Sequence, residues 1–127
     1  MKKHLLLFIF PCLIACSCYS KVEQATRISE IHFGYGGGFT NQQVVCKLTH
    51  DGKIFQGDKL LKQIPCEQVE QIFNQANEIT TSVNEYGNIY WFIEIKGKQN
   101  KRYVWTGDST IQTDLNNLFN TLNTIKL

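Results

Sequence analysis

Residues 89–96 read IYWFIEIK, and this segment gives the clearest indication of the fold class. It is rich in β-branched and aromatic side chains, which favour a β-strand. Successive side chains of a strand point to opposite faces, so the segment has two faces. They are Ile89, Trp91, Ile93 and Ile95 on one side, and Tyr90, Phe92, Glu94 and Lys96 on the other. A turn at residues 97–100 then leads into KRYVWT at residues 101–106, which predicts an antiparallel hairpin.

Three more strands are predicted before this hairpin. Residues 28–35 alternate, with Ile31, Phe33 and Tyr35 on one side. Residues 44–50 form the next strand, and Asp51-Gly52 is a strong hairpin signal that joins it to residues 53–56. A two-residue loop at this point would place Leu48 opposite Phe55, on a shared face.

Two segments show helical periodicity. Pro65 suits a first turn, and it opens a predicted helix over residues 65–78. Its apolar stripe is Cys66, Val69, Ile72, Phe73 and Ala76. Residues 109–112 resemble a capping box, followed by a stripe of Ile111, Leu115, Leu118, Phe119, Leu122 and Ile125. The order β-β-β-α-β-β-α predicts an α+β domain at residues 27–127, with a single antiparallel sheet and two helices packed mainly on one face.

The N-terminus has the layout of a secretory signal peptide. Lys2 and Lys3 precede an apolar stretch at residues 5–15 that is too short to span a bilayer. Leu13-Ile14-Ala15-Cys16 resembles the bacterial lipobox, in which the cysteine is lipidated and becomes the first mature residue. Residues 1–15 are therefore predicted to be a lipoprotein signal peptide. The alternatives are ordinary cleavage near Ser17 or Ser20, or modification of Cys18.

Residues 16–26 lack apolar periodicity and predict a short lipidated tether. Several acyl chains on Cys16, palmitate among them, would anchor the protein stably, whereas one chain is marginal. We therefore expect a membrane-anchored lipoprotein of the cell envelope. The sequence leaves open whether the membrane is inner or outer, and whether the domain is periplasmic or surface-exposed.

Charge argues against nucleic acid as a partner. Removal of Lys2 and Lys3 leaves 11 basic residues against 11 acidic ones, so the mature chain lacks the positive charge that phosphate binding requires. His32 and His50 lie on separate predicted strands without further ligands at metal-binding spacing. No nucleophile has a convincing base nearby. We expect no catalytic residues, no metal and no cofactor, and hence no enzyme.

Three cysteines remain after Cys12 leaves with the signal peptide and Cys16 is acylated. They are Cys18, Cys46 and Cys66, in an oxidising compartment. Cys46 and Cys66 lie on the predicted core faces of a strand and a helix. A Cys46–Cys66 disulfide and two buried thiols are therefore both open interpretations, and the former leaves Cys18 free or available to another chain.

A glycine run separates the first two predicted strands, in the segment GYGGGFT at residues 34–40. It lacks the spacing of a dinucleotide-binding loop and is followed by a strand, which excludes a phosphate site. The favoured interpretation is a wide connection or bulge in which the glycines let the chain turn over a packed Phe39. The alternative is a binding loop formed by Tyr35, Gly36, Gly37, Gly38, Phe39 and Thr40.

These residues also carry a family resemblance. Gly37-Gly38-Phe39-Thr40 after a strand, the later HDGK turn, and the order of elements resemble the emfourin-like group of small bacterial proteins. In that group a Gly-Gly-Phe-Ala/Thr-Gly motif lies between the first two strands, and its named member inhibits a thermolysin-type metalloprotease. Asn41 stands where the motif has a glycine. The resemblance implies inhibition of a secreted metalloprotease as an alternative function.

A second candidate surface is aromatic. If Phe92 lay near Trp105 and Glu94 near Tyr103, then Tyr90, Phe92, Tyr103 and Trp105 would form one exposed binding face. The alternative is that these side chains pack within or across the sheet. Together, these features predict a non-enzymatic binding or structural module, whose partners are the membrane, through the covalent lipid, and another envelope or secreted protein.

Overall fold

A computed structural model describes residues 28–127. The predicted signal peptide at residues 1–15 and tether at residues 16–26 lie outside the described residues. The strands are β1 (Ile28–Gly37), β2 (Gln42–Thr49), β3 (Lys53–Gln56), β4 (Lys59–Gln63), β5 (Ile89–Gly97) and β6 (Lys101–Trp105). The helices are α1 (Cys66–Asn77) and α2 (Thr113–Ile125). Within this part of the chain, no helix has the length and apolar character that a membrane crossing requires.

The fold is α+β, as predicted. Its six strands form one antiparallel sheet in the order β4-β3-β2-β1-β5-β6. Strand β4 was not predicted, so the observed order is β-β-β-β-α-β-β-α. Only Leu61 of this strand is partly buried, and its other side chains are exposed. An edge strand of this kind lacks the apolar alternation that reveals the other strands.

One hydrophobic core lies between the sheet and both helices. Ile31, Phe33, Cys46, Leu48, Ile54, Ile93 and Ile95 contribute to it from the sheet. Helix α1 contributes Val69, Ile72, Phe73 and Ala76, and α2 contributes Leu115, Leu118, Leu122 and Ile125. Both predicted helical stripes are therefore confirmed as core-facing, although Cys66, Ile111 and Phe119 are only partly buried.

The β2–β3 register differs from the prediction by one residue. Leu48 lies opposite Ile54, and Lys47 lies opposite Phe55. The turn between β2 and β3 is longer than two residues. Within it, the Gly52 N–H donates to the Thr49 carbonyl at 3.0 Å, and the first pair of the two strands is Leu48 with Ile54. The extra residue moves Phe55 to the face of the sheet away from the helices. There the Lys47 ammonium lies 5.1 Å from the centre of its ring.

Helix α2 starts later than the predicted capping box implied. Its first residue is Thr113, and Ser109 lies outside the helix. The Ser109 hydroxyl instead accepts a hydrogen bond from the Thr106 N–H at 3.0 Å and donates one to the Glu85 carboxylate. Ser109 therefore ties the chain after β6 to the loop before β5.

The two edges of the sheet differ. Residues 83–85 run beside β6, where the Glu85 N–H donates to the Val104 carbonyl at 2.9 Å and the Val104 N–H donates to the Val83 carbonyl at 3.2 Å. Strand β4 is the opposite edge of the sheet formed by residues 28–127. It carries the exposed side chains of Lys59 and Lys62.

The sheet has two ends that matter for function. We call the end where β1 begins, at Ile28, the entry end; β2 finishes there, and the β2–β3 and β5–β6 turns lie there. We call the other end, where β1 passes into the turn after Gly37, the tip end. Strand β1 has 10 residues. At about 3.3 Å per residue, the two ends lie roughly 30 Å apart.

Candidate functional site

The glycine run forms a tight hairpin at the tip end. Gly37 pairs with Gln42 as the last rung of β1 and β2, so only residues 38–41 remain in the loop. Gly37 and Gly38 have φ angles of +95° and +82°, in the left-handed region that glycine adopts without a steric penalty. The Asn41 N–H closes the turn by donating to the Gly38 carbonyl at 3.1 Å. The predicted wide connection or bulge is therefore wrong.

The hairpin is held against the residue that precedes β5. The Gly38 N–H donates to the Asn88 carbonyl at 2.5 Å. A Cβ on Gly37 would lie 2.1 Å from the same oxygen, so only glycine allows this close approach. These contacts fix the base of the loop against its neighbour and leave residues 39 and 40 projecting.

Phe39 projects fully into solvent. Its relative exposure is 111%, the highest of the large apolar side chains among residues 28–127. The favoured expectation, a packed phenylalanine under a glycine turn, is therefore wrong. The hairpin turn carries Phe39 beyond the last strand pair, where the core has ended. Tyr35, at 47% exposure, lies on the core face of β1 but close to this end.

Uncharged side chains surround the exposed phenylalanine. Residues 34–46, which include the hairpin, contain no charged side chain, and neither do residues 86–93 beside them. Ile89, at 53% exposure, pairs with Gly37 and adds apolar surface at the same end of the sheet. We call Tyr35, Phe39 and Ile89 the tip surface. Ile89 was not predicted as a site residue, because only the pairing of β1 with β5 places it here.

Tyr90 is on the opposite face from the helices. A Cβ on Gly36 would lie 2.6 Å from the Tyr90 hydroxyl oxygen, so the side chain extends over the backbone of β1. The Tyr90 hydroxyl accepts a hydrogen bond from the Gln43 amide at 3.3 Å, and its ring meets Tyr86 edge-on with centroids 5.2 Å apart. Gly36 therefore supports an aromatic packing arrangement and does not belong to the exposed loop.

Phe92, next to Tyr90 on this face, is only 2% exposed. The Arg102 guanidinium lies 4.8 Å from the centre of its ring and also bonds the Glu94 carboxylate at 2.7 Å. Burial alone would lower the pKa of Arg102, but hydrogen bonds with Tyr86 and Glu94 raise it. Arg102 was not predicted as a partner of Phe92, because the predicted hairpin register was off by one.

The predicted aromatic binding face is wrong in its composition. Trp105 pairs with Trp91, and Tyr103 pairs with Ile93, so both lie on the face covered by the helices. They are 5% and 4% exposed, and Trp105 meets Phe119 edge-on at 5.0 Å. Of the four predicted residues, only Tyr90 and Phe92 share the outer face, and Phe92 is buried there.

The predicted Cys46–Cys66 disulfide is also wrong. Cys46 is a free, buried thiol, whereas Cys66 is disulfide-bonded. Helix α1 begins beside the β2–β3 turn, because the Ile64 N–H donates to the Gly52 carbonyl at 2.8 Å. Cys46 lies three residues before the end of β2 at Thr49, which is about 10 Å of strand. A disulfide requires Cα atoms within about 7 Å.

His32 and His50 each have a hydrogen-bonding neighbour within the sheet. His32 Nε2 lies 2.7 Å from the Glu30 carboxylate, and His50 Nδ1 lies 3.0 Å from the Ser29 carbonyl. Among residues 28–127, no three side chains of His, Cys, Asp or Glu are grouped as metal ligands. The exposed apolar residues that the structure places at one end of the sheet are those of the tip surface.

Comparison with known proteins identifies no relative of this chain. No family model, no curated protein and no solved structure matches the chain.

Proposed function

We propose that this protein is a bacterial cell-envelope lipoprotein whose domain is a non-enzymatic binding module. The hairpin at residues 37–41 is its binding element. The observation that carries the proposal is the full exposure of Phe39 on a turn whose base is hydrogen-bonded to Asn88. A large apolar side chain held in water by ordered backbone is a typical anchor for a partner's pocket.

Burial supplies the binding energy in this proposal. Transfer of a phenylalanine side chain from water into a pocket contributes about 1.5–3 kcal/mol. The loop is already ordered by the Gly38 and Asn41 hydrogen bonds, so binding costs little conformational entropy. The partner's pocket is apolar, since no charge on residues 34–46 would complement a charged one. For the same reason, binding through the tip depends little on salt.

Lipid attachment is tested on the protein in its own membranes. Mass spectrometry of the membrane fraction should identify Cys16 as the acylated N-terminal residue. The Leu13-Ile14-Ala15-Cys16 motif supports this expectation. An unmodified mature chain that begins at Lys21 would contradict it.

Binding through the tip is tested by affinity capture from envelope and culture extracts. Phe39→Ala should abolish capture of the specific partner. Leu127→Ala is the matched control, because Leu127 is also a large exposed apolar residue, at 92%, and its loss should leave capture unchanged. Equal capture by both variants would exclude Phe39 as the anchor, and loss of capture at high salt would contradict an apolar contact.

Inhibition of a secreted metalloprotease is the second candidate. One observation favours it in particular. Asn41, which replaces the last glycine of the emfourin-like motif, has a φ of +49°. Asparagine tolerates this left-handed region better than most residues, so Asn41 meets the backbone requirement of a glycine. Asn41 can therefore take the place of the motif's last glycine in the turn after Gly37.

The inhibitor hypothesis has its own assay. The purified protein is titrated against a thermolysin-type metalloprotease, and the cleavage rate of a peptide substrate is measured. Inhibition that Phe39→Ala removes and Leu127→Ala preserves would support it. If inhibition is absent while a different partner is still captured through Phe39, the module binds something other than this class of protease.

A further inference from the structure

Cys66 has a disulfide partner that the described residues do not supply. The sequence has five cysteines, at positions 12, 16, 18, 46 and 66. Cys66 is disulfide-bonded, and Cys46 is a free thiol within the core. If the bond is within one chain, its other sulfur belongs to a residue that precedes β1.

We propose that Cys66 forms this disulfide with Cys18 and thereby fastens the lipidated N-terminus to the entry end of the domain. The assignment rests on the proposed lipoprotein processing. Cleavage before Cys16 removes Cys12, and acylation converts the Cys16 thiol to a thioether, which cannot form a disulfide. Cys18, which lies outside the described residues, is then the one remaining thiol.

The position of Cys66 fits this assignment. It is the first residue of α1, and the preceding Ile64 is hydrogen-bonded to Gly52 in the β2–β3 turn. Strand β1 begins at the same end of the sheet, with β2 between it and β3. Two strand spacings are about 10 Å. The nine residues 19–27 can span up to about 30 Å, so the chain can reach Cys66 without rearrangement of the domain.

The chemistry requires an electron acceptor. The Cys18 and Cys66 thiols together lose two protons and two electrons as the S–S bond forms. A thiol–disulfide oxidase of the envelope accepts them, and its own disulfide is reduced to a dithiol by exchange through a mixed disulfide. Cys46 takes no part, because it is buried among core side chains and burial raises the pKa of its thiol.

The link keeps the entry end of the domain close to the membrane. The acyl chains on Cys16 would be two residues along the chain from the cysteine that is bonded to Cys66. Phe39 lies at the opposite end of β1, roughly 30 Å away. A protein partner can therefore reach the tip surface without displacing the anchored end.

A cleavable tether tests the link in the full-length exported protein. Residues 22–27 are replaced with the recognition sequence of a site-specific protease, and membranes are digested without reductant. The domain should stay with the membrane, because Cys66 still joins it to the acylated fragment through Cys18. Addition of a reductant should then release it. Cys66→Ser should release the domain on digestion alone, whereas Cys46→Ala should behave like the parent protein.

Peptide mapping of the unmodified protein under non-reducing conditions provides the second readout. A cross-linked pair of peptides containing Cys18 and Cys66 is expected. A bond from Cys66 to Cys12, to Cys16 or to another chain would overturn the proposal, as would release of the parent domain before reduction. Failure of the lipoprotein hypothesis looks different, since the protein would then be found outside the membrane before any digestion.

Discussion

Tyr90 covers the backbone of Gly36 on the face of the sheet that the helices leave open. A Cβ on Gly36 would lie 2.6 Å from the Tyr90 hydroxyl oxygen and 2.8 Å from Cζ. The two residues are paired in register on β1 and β5. An aromatic side chain laid across a strand glycine shields backbone that has no side chain of its own.

This contact predicts the effect of Gly36→Ala. The added methyl group forces the Tyr90 ring to move, and we expect a loss of about 1 kcal/mol in the free energy of unfolding, at the low end for overpacking. Urea denaturation measures it. In a Tyr90→Ala background, Gly36→Ala should lower the free energy of unfolding distinctly less, because the added methyl group no longer meets the Tyr90 ring. An equal cost in both backgrounds would contradict the contact.

Arg102 is predicted to stabilise the domain through Phe92. Its guanidinium lies over the ring and is paired with Glu94. A partly exposed cation–π contact and an ion pair contribute about 0.5–1 kcal/mol each at most. We expect Arg102→Ala to lower the free energy of unfolding by about 1 kcal/mol, a typical value for a lost contact of this kind. Lys98→Ala on the nearby β5–β6 turn should have no measurable effect in the same denaturation assay.

The Cys46 thiol predicts a pH dependence of stability. Burial raises the pKa of Cys46 above its ordinary 9.0, although the charge of Lys126 opposes the shift. Above pH 9.0 the unfolded thiol ionises while the native thiol keeps its proton, so the free energy of unfolding falls as pH rises. Burial and the charge of Asp114 also raise the pKa of Tyr103, which acts in the same direction.

The measurement for Cys46 is a set of denaturation curves from neutral pH to beyond the ordinary thiol pKa. Cys46→Ala should show a shallower loss of stability over the alkaline range, to which Tyr103 still contributes. The native Cys46 thiol should also resist alkylation until the protein unfolds. Rapid alkylation of the folded protein, or an unchanged alkaline slope in the variant, would contradict its burial.

Phe39→Ala is predicted to separate binding from folding. Phe39 is fully exposed in the native state, so its truncation should change the free energy of unfolding by less than about 0.5 kcal/mol. Phe33→Ala, which removes a fully buried ring on the preceding strand β1, provides the contrast, with an expected cost of about 3–5 kcal/mol. A large destabilisation by Phe39→Ala would show that the side chain packs against the domain.

The elements found from the sequence are those with a buried face. Alternation at residues 28–35 and 89–96 and the helical stripes of residues 66–76 and 115–125 are imposed by the core, so they can be recognised without a structure. Strand β4 has almost no buried side chain and left no such pattern. The fold class could be predicted because the core determines it.

The candidate site could be predicted only in part. The glycine run marked a position of unusual backbone, but nothing in the sequence shows whether core lies beneath Phe39. The cross-strand partners of Phe92 and Leu48 depend on the register of the β5–β6 and β2–β3 hairpins. One additional residue in a turn shifts that register. The Cys46–Cys66 pairing failed for a similar reason. Two cysteines facing one core can still lie too far apart to bond.

The exposed lysines of β4 have a consequence for the proposed lipoprotein. Copies anchored by lipid would be confined to two dimensions, where encounters between neighbours are frequent and an open strand edge is a template for sheet extension. Edge-to-edge pairing of two copies would bring Lys59 and Lys62 of each close together and strip water from their ammonium groups. On the proposed membrane anchor, that repulsion would oppose the merging of neighbouring sheets and favour separate domains.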